Sequence, residues 1–314
     1  MTATVPKLSA PDFTRDLDAS RDELLTLLNL AAEVKQNPAQ FAHALDGQSV
    51  ALLFEKPSLR TRFTFELGVQ QMGGSVVAMD GAIGAREPVK DIARNLERWV
   101  NGIVARTFAQ DTIDQLAAFA KCPVINALSD LYHPCQALAD FQTLREHFGH
   151  TYGPDLRGLK LTFVGDGNNV AHSLMLNAAR LGVHFALAAP VGYEPDATIL
   201  QQARTLAKES GSDIIVTHNP RVAVSDAHAV YTDVWASMGQ ESEAPKRKKT
   251  FAPFQVTADL MRTARAEAVF MHCLPAKRGE ETTEEVLESK QSIVFDQAEN
   301  RLHAQKALML MLLA

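Results

Sequence analysis

The sequence predicts an α/β protein of two domains, each a parallel sheet flanked by helices. Short β-rich runs alternate with helical patterns from one end of the chain to the other, as in βαβ units. The length of 314 residues suits two domains of ordinary size. Polar and charged residues follow the β-rich runs directly, which is where parallel sheets bind ligands.

The first half of the chain contains four of these β-rich runs. Residues 49–55 predict a buried strand, and the helical pattern of residues 60–72 closes at Gly73 and Gly74. The next strands are predicted at residues 75–80, 102–107 and 123–128. A long helix is predicted at residues 134–148, ending this half at Gly149.

The second half repeats the rhythm after a polar stretch at residues 150–158, which contains two Gly and a Pro. Its strands are predicted at residues 160–165, 184–190, 213–219, 229–234, 268–273 and 292–296. We therefore expect one domain over residues 1–149 and a second over residues 150–296.

Composition excludes several classes of protein. The formal net charge of -6 argues against a nucleic-acid partner. Three cysteines without a framework spacing are typical of a reducing compartment, and the first residues lack the features of a signal peptide. The apolar run at residues 307–314 is far shorter than the ~20 residues that span a bilayer. We expect a cytoplasmic protein with neither a membrane nor a nucleic-acid partner.

The segment FEKPSLRTR, residues 54–62, predicts an anion site. Ser58 is placed to cap a helix, and the N–H groups of the first turn would point outward at the positive end of the helix dipole. Arg60 and Arg62 add guanidinium groups that suit phosphate oxygens. The alternative interpretation is a capped helix with two surface arginines.

Four further residues could complete a site for a small anion that carries a carbonyl group. Arg106 closes a buried strand, where it would face the ligand crevice or form a salt bridge at the rim. In HPCQ, His133 lies at the mouth of a helix and Gln136 lies one turn in. This pair could donate to a carbonyl oxygen and accept from an amide NH₂, or His133 could merely cap the helix. Arg301 is predicted to open the final helix as another cation.

Two segments of the second half suit an amino acid. DGNN at residues 166–169 imitates a dinucleotide fingerprint, but Val170 occupies the third glycine position. Asn168 and Asn169 instead offer amides at a helix N-terminus, which suit a carboxylate. Asp233 follows a strand, where its carboxylate could bind a cationic amine.

The segment from Ser237 to about residue 254 is predicted to be a long polar loop that closes over the substrate as a lid. Ser237 and Met238 form its root, beside Asp233. The basic run at residues 246–249 is predicted to be solvated on the outer face of this lid.

The motif HCLP, residues 272–275, ends another strand. Cys273 could be a nucleophile, a metal ligand, a polarisable contact or a buried structural residue. A zinc site is disfavoured because adjacent ligands such as His272 and Cys273 rarely close one tetrahedron.

Together these motifs resemble the aspartate/ornithine carbamoyltransferase family, over nearly the whole chain and in the family's order. The loop of residues 58–62 is similar to the family's Ser-x-Arg-Thr-Arg, and HPCQ matches its counterpart. DGNN, DVWASMGQ, HCLP and ENRLHAQKA look like the ornithine branch. The aspartate branch carries a proline-rich HPLPR-type segment in place of HCLP.

The resemblance implies direct transfer of a carbamoyl group from carbamoyl phosphate to the side-chain amine of L-ornithine, in arginine biosynthesis and without a metal or organic cofactor. The first domain would bind carbamoyl phosphate, the second would bind ornithine, and the last helix, about residues 297–314, would pack back on the first domain. Homotrimers, or multiples of trimers, are implied.

The same resemblance assigns residues to each substrate. Carbamoyl phosphate would be bound by Ser58, Leu59, Arg60, Thr61, Arg106, His133, Gln136, Cys273, Leu274 and Arg301. Ornithine would be bound by Asn168, Asn169, Asp233, Ser237 and Met238. Catalysis would depend on Arg106, His133, Asp233 and Cys273.

Two positions depart from the family's pattern. Leu59 stands where relatives have Thr or Gly, so only its backbone N–H could contact phosphate. Many relatives carry, near the position of Ala82, a Gln that reaches the substrate of a neighbouring subunit, and this chain does not.

Two other functions compete with transfer to ornithine. An acylated ornithine as acceptor would leave Asp233 without a cationic partner. A non-catalytic Rossmann-type binding module would not explain why several cations and His133 follow strand ends.

Overall fold

The computed structural model describes residues 5–237 and 239–314, and it divides the chain into two compact units. One unit runs up to Gln142 and includes Glu299–Ala314, and the other is Thr143–Ala298. No helix in the described residues is both long and apolar enough to cross a membrane.

The first unit is a parallel sheet with helices. Its strands, as far as the chain is described, are β1 (Ser49–Phe54), β2 (Ser75–Asp80), β3 (Gly102–Arg106) and β4 (Val124–Leu128), in the order β2-β1-β3-β4. Its helices are α1 (Arg21–Gln36), α2 (Leu59–Gln70), α3 (Val89–Leu96), α4 (Gln110–Phe119) and the start of α5 (Pro134–Tyr152), with 3-10 turns at Asp16–Asp18 and Pro38–Phe41. Strands β3 and β4 are buried throughout and β1 nearly so, as expected for continuous apolar runs within a parallel sheet.

The second unit is built in the same way. Within the described residues its strands are β5 (Lys160–Val164), β6 (His184–Ala188), β7 (Ile214–Thr217), β8 (Ala229–Thr232) and β9 (Val269–His272), in the order β7-β6-β5-β8-β9. Its helices are α6 (Asn169–Leu181), α7 (Ala197–Ser210), α8 (Pro220–Val224), α9 (Ala244–Phe251), α10 (Ala258–Met261), α11 (Glu284–Leu287) and the start of α12 (Val294–Leu313), with 3-10 turns at Glu241–Glu243 and Ala252–Phe254.

The predicted fold class, two parallel sheets flanked by helices, is confirmed. The division between the units falls within α5, and the predicted division at residues 149 and 150 lies in the same helix. The helix does not end at Gly149 but continues to Tyr152. Helices α5 and α12 each contribute residues to both units.

Two predicted elements are wrong. Residues 292–296 are not a strand: Ser292 makes one isolated bridge to Phe270, and α12 begins at Val294. Arg301 consequently lies well inside α12 and does not open it. The apolar run within this segment has only three residues, 293–295, and so short a run does not distinguish a strand from the first turn of a buried helix.

The segment after Ser237 is also not the predicted polar loop. It contains helix α9, and Phe251 and Phe254 are buried. Phe251 stacks with Trp235 at 6.0 Å between ring centroids and meets Phe254 edge-on at 6.4 Å. The segment therefore buries large apolar side chains, which a polar loop would not.

The strand orders place a switch point in each sheet. In the first unit the chain moves from β1 to β2 on one side and then to β3 on the other. In the second it moves from β5 through β6 to β7 and then returns to β8 on the opposite side of β5. Ligands of open parallel sheets bind beyond the strand ends at such points.

Candidate active site

Helix α2 begins at the switch point of the first unit. Ser58 is its N-cap, and its Oγ accepts a hydrogen bond from the Thr61 N–H at 3.3 Å, as predicted. Arg62, predicted as a second phosphate-binding guanidinium, instead pairs with Glu66 at 2.9 Å and Asp80 at 2.6 Å. Because both its partners are carboxylates, Arg62 is not available to an anion.

A buried guanidinium links three of the predicted site residues. Arg301 is 2% exposed and donates from Nη1 to Gln136 Oε1 at 2.6 Å and from Nη2 to Thr61 Oγ1 at 3.2 Å. The Gln136 amide in turn donates to Asp140 at 2.8 Å. Helices α2, α5 and α12 are therefore tied together beside the cap of α2, even though Arg301 is not at a helix start.

His133 lies among the cations of this unit. It is buried, and its pKa is lowered well below 6.5, first by burial and then by the positive charges of Arg301, Arg106 and Arg60. The imidazole is therefore neutral at neutral pH and can exchange single hydrogen bonds with a ligand. Arg106 ends β3 as predicted, and only 6% of it is exposed.

In the second unit, Asp233 joins two of the predicted motifs. Its Oδ2 accepts from Asn168 Nδ2 at 3.0 Å, and its Oδ1 accepts from Cys273 Sγ at 3.1 Å. The Val234 N–H also donates to Oδ1 at 2.8 Å. The three side chains follow the neighbouring strands β5, β8 and β9, so they lie beyond strand ends as predicted, and the structure brings them together.

The Asn168 side chain is oriented by the helix that it caps. Its Oδ1 accepts from the N–H groups of Val170 at 3.0 Å and Ala171 at 3.1 Å. Because the oxygen is engaged in this way, the NH₂ group is directed to Asp233.

A buried pair stands behind Cys273. His272 Nδ1 accepts from the Leu274 N–H at 2.8 Å, so Nε2 carries the proton and donates to Glu281 Oε1 at 3.2 Å. Both His272 and Glu281 are fully buried. Sequence reasoning overlooked Glu281, for which the only signal was the acidic pair that follows HCLP.

The two units thus offer different chemistry. The first presents a capped helix N-terminus with Arg60, Arg106 and a neutral His133, which suits a phosphorylated carbonyl compound. The second presents a carboxylate held by an amide and a thiol, which suits a cationic amine.

Sequence comparison assigns both units. Residues 12–146 match the model described as "Aspartate/ornithine carbamoyltransferase, carbamoyl-P binding domain", and residues 157–312 match its "Asp/Orn binding domain". The chain belongs to the aspartate/ornithine carbamoyltransferase family. It is accordingly a transferase.

Relatives within this carbamoyltransferase family match end to end. The "Ornithine carbamoyltransferase" of Anoxybacillus flavithermus is 49% identical, over 100% of this chain and 99% of its own length. The solved structure of the ornithine carbamoyltransferase from Pyrococcus furiosus has a TM-score of 0.93 and 44% identity, over 98% of this chain and 99% of that one. An acetylornithine transcarbamylase solved with acetylcitrulline has a TM-score of 0.87 and 34% identity, over 96% and 99%.

A group of potential metal ligands exists in the second unit of this carbamoyltransferase. One ligand atom from each of Asp233, His272 and Cys273 lies within 4.8 Å of the others. Both ring nitrogens of His272 are engaged by Leu274 and Glu281, and the Cys273 thiol points to Asp233. A metal would have to replace these hydrogen bonds, so the donor set fits a hydrogen-bonded network better than a coordination site.

The remaining predicted residues are placed as follows. Asn169 is the first residue of α6, and Ser237 is half-buried, with its N–H bonded to Gln240 Oε1 at 3.1 Å. Met238 lies outside the described residues. The Leu59 side chain, one of the departures from the family's carbamoyl phosphate loop, is 67% exposed.

Proposed function

We propose that this enzyme transfers the carbamoyl group of carbamoyl phosphate to the side-chain amine of L-ornithine, releasing L-citrulline and phosphate. The observation that carries the proposal is the Asp233 carboxylate, which holds Asn168 on one oxygen and Cys273 on the other. That arrangement suits a substrate with two amines. The charged α-ammonium would pair with the Asp233 carboxylate, and the side-chain amine would react.

The leaving phosphate is bound by the first unit. The first-turn N–H groups at Leu59 and Arg60 and the guanidinium groups of Arg60 and Arg106 stabilise the charge that grows on the departing oxygen. Ser58 shapes the loop through its cap on Thr61. The exposed Leu59 side chain leaves this backbone contribution intact.

The carbonyl group is polarised by neutral and charged donors together. Thr61, Arg106 and His133 surround the position where negative charge develops on oxygen, and Gln136 accepts from the carbamoyl NH₂. Arg301 fixes Thr61 and Gln136 through its two hydrogen bonds. Since His133 is neutral, it contributes a hydrogen bond without competing for the phosphate as a further cation.

The acceptor must lose a proton before it attacks. A free alkyl amine titrates near pH ~10, so the site must favour its neutral form. We propose that Cys273, whose thiol donates to Asp233, lies beside this amine and assists the loss of its proton, while Asp233 binds the α-ammonium. Asn168 and Asn169 bind the amino-acid carboxylate. Ser237 and Met238 complete the ornithine site.

The transfer is direct. The amine nitrogen forms a bond to the carbonyl carbon while the bond from that carbon to the phosphate oxygen breaks, and the amine proton is released. The resemblance also assigns Cys273 and Leu274 to carbamoyl phosphate. Positioning and charge stabilisation supply most of the catalysis, and no acyl-enzyme is formed.

Ornithine is favoured over its acetylated form as the acceptor. The matched relative that is named for ornithine is 49% identical, whereas the structure that is named for acetylornithine is 34% identical. Acetylation also removes the positive charge of the α-amine, and Asp233 would then face a neutral group.

We also propose that the enzyme works in the cytoplasm, in arginine biosynthesis, as a homotrimer or a multiple of trimers. Leu59, Phe63 and Leu67 form an apolar stripe on α2, and they are 67%, 55% and 41% exposed. Val77 and Met79 add exposed apolar side chains on the edge strand β2. This face suits a second copy of the chain, and Phe63→Glu is expected to shift the mass in multi-angle light scattering toward the monomer.

An activity assay with three acceptors tests the proposed reaction. Purified enzyme is given carbamoyl phosphate with ornithine, N-acetylornithine or aspartate, and the ureido product is quantified. Turnover with ornithine alone supports the proposal. Turnover with acetylornithine or aspartate in its place rejects it, and a thermal shift with NAD but not with carbamoyl phosphate would favour the binding-module alternative.

A further inference from the structure

Arg247 is buried although it stands in the most basic stretch of the chain. Lys246, Lys248 and Lys249 are exposed, whereas only 7% of Arg247 is exposed. The prediction that the whole run faces solvent is therefore wrong at this residue. A buried guanidinium requires partners, because leaving a charge uncompensated in the interior is costly.

Those partners come from two separate loops and from Glu243, the residue that precedes its own helix. Nη1 donates to Asp166 Oδ2 at 2.6 Å and to the backbone oxygen of Trp235 at 3.0 Å. Nε donates to Glu243 Oε2 at 2.9 Å, four residues earlier in the chain. The guanidinium carbon lies 4.9 Å from the centroid of the Tyr193 ring.

The first two contacts hold the segments that bear the proposed ornithine residues. Asp166 precedes Asn168 by two positions in DGNN, and Trp235 follows Asp233 by two positions in DVWASMGQ. One guanidinium therefore bridges the loop after β5 and the loop after β8, the same two loops that the Asn168–Asp233 hydrogen bond joins.

The surface that supports Arg247 is itself fixed. The Gly167 N–H donates to the Tyr193 oxygen at 2.9 Å, and a Cβ at Gly167 would lie 2.4 Å from the Pro195 nitrogen, so only glycine fits there. The Tyr193 ring packs edge-on against Phe251 at 4.8 Å. The DGNN loop therefore packs against the chain at Tyr193, and Arg247, from α9, packs over the ring of the same tyrosine.

We propose that Arg247 is a positioning residue for the acceptor, which sets the spacing between Asn168 and Asp233 by clamping the two loops that carry them. It does not touch the substrate. The inference rests on the proposed function, since it assigns the clamped pair to ornithine. A buried ion pair is weak evidence for stability, because an apolar side chain of similar size often serves as well. The clamp has a further requirement: Nη1 must reach both loops while Nε stays on Glu243, and the planar guanidinium of arginine places both nitrogens at once.

The chain offers a spectroscopic reporter for this clamp. It has two tryptophans: Trp99 is 70% exposed, and Trp235, whose backbone oxygen accepts from Arg247, is 4% exposed. In a Trp99→Phe background the emission of Trp235 reports whether its loop stays buried. Arg247→Gln, Arg247→Met and Arg247→Lys are compared with Lys246→Gln and Lys248→Gln, which remove a charge from the same helix on its exposed side.

The expected result is a split between the two substrates. Arg247→Gln and Arg247→Met should raise the ornithine KM by roughly tenfold or more, because loosened supports misplace the binding groups, while the carbamoyl phosphate KM stays within about twofold of wild type. Trp235 emission should move to longer wavelength in both. The ornithine KM of Arg247→Lys should fall between theirs and that of wild type, because lysine keeps the charge but lacks the planar guanidinium. The two lysine variants should behave as wild type.

Several results would overturn the inference. An unchanged ornithine KM and an unchanged Trp235 spectrum in Arg247→Met would show that Arg247 only fills space. An equal rise in the KM values for ornithine and carbamoyl phosphate would show a general defect of the fold. If the glutamine and methionine variants do not fold, a wild-type ornithine KM in folded Arg247→Lys rejects the clamp.

Failure of the proposed function would look different. Wild-type enzyme would then not convert ornithine at all, yet the emission shift in ligand-free Arg247→Gln would still report that Arg247 holds the Trp235 loop.

Discussion

Asp233→Asn tests the acceptor site with a change of one atom. Asparagine keeps the shape of aspartate but replaces a carboxylate oxygen with an NH₂ donor. If that donor faces Asn168, two NH₂ groups meet, and Asn168 cannot turn over without losing its two capping hydrogen bonds to α6. If it faces the other way, the Cys273 thiol and the Val234 N–H lose their acceptor.

The magnitude follows from this geometry. Either orientation breaks at least one hydrogen bond to a charged group, a loss of about 1.5–3 kcal/mol. The charge that would attract the ornithine α-ammonium is lost as well. Since a factor of ten corresponds to about 1.4 kcal/mol, the ornithine KM should rise roughly ten- to hundredfold.

The assay is steady-state citrulline formation with ornithine varied at saturating carbamoyl phosphate, together with calorimetry of carbamoyl phosphate binding. The affinity for carbamoyl phosphate in calorimetry should be unchanged, because Asp233 is not among the residues proposed to bind it. Asp226→Asn is the matched control: Asp226 is exposed in the same unit, and asparagine tolerates its φ of 57°. An ornithine KM for Asp233→Asn within twofold of the control would refute the assignment.

Four further outcomes are expected. Arg106→Ala should abolish carbamoyl phosphate binding in calorimetry while circular dichroism stays native, because a charge-assisted contact of about 1.5–3 kcal/mol or more is lost; wild-type affinity would remove Arg106 from the site. Cys273→Ser should raise the ornithine KM more than the carbamoyl phosphate KM. An ornithine KM unchanged from wild type would show that Cys273 is only a packing residue. Product-inhibition patterns should show carbamoyl phosphate binding before ornithine, and random order would contradict this. His133 stays neutral in the folded protein while the unfolded chain binds a proton below a pH near its ordinary pKa of about 6.5, so the free energy of unfolding should fall as pH drops through that region. In urea titrations, the free energy of unfolding of His133→Asn should decline less with falling pH than that of wild type. An equal decline would show that His133 does not contribute to this pH dependence.

Much of the fold could be predicted because parallel strands leave a direct signal. The segments that form β1, β3 and β4 are continuous apolar runs. Asn168, Asp233 and Cys273 follow strand ends, and the structure brings these three residues into contact. The rule that ligands bind beyond strand ends works at the level of single residues here.

The remaining features depend on tertiary contacts that no local pattern encodes. Arg62 and Arg60 look equivalent in sequence, but Arg62 pairs with Glu66 one turn on and also with Asp80 on β2, whose position no local pattern shows. Arg247 is one of four consecutive basic residues, and its burial follows from Asp166, which lies far earlier in the chain. Local composition marks such residues as solvated, and it cannot show which one has a distant carboxylate.

Direct transfer to the side-chain amine of ornithine leaves an isotopic signature in the product. Carbamoyl phosphate labelled with ¹³C at the carbonyl is mixed with ornithine labelled with ¹⁵N at the side-chain amine, and the product is observed by ¹³C NMR. We expect a carbonyl signal that is split by one-bond coupling to ¹⁵N and that forms at the rate at which phosphate is released. A carbonyl signal without that coupling, or phosphate release without any new carbon–nitrogen bond, would contradict it.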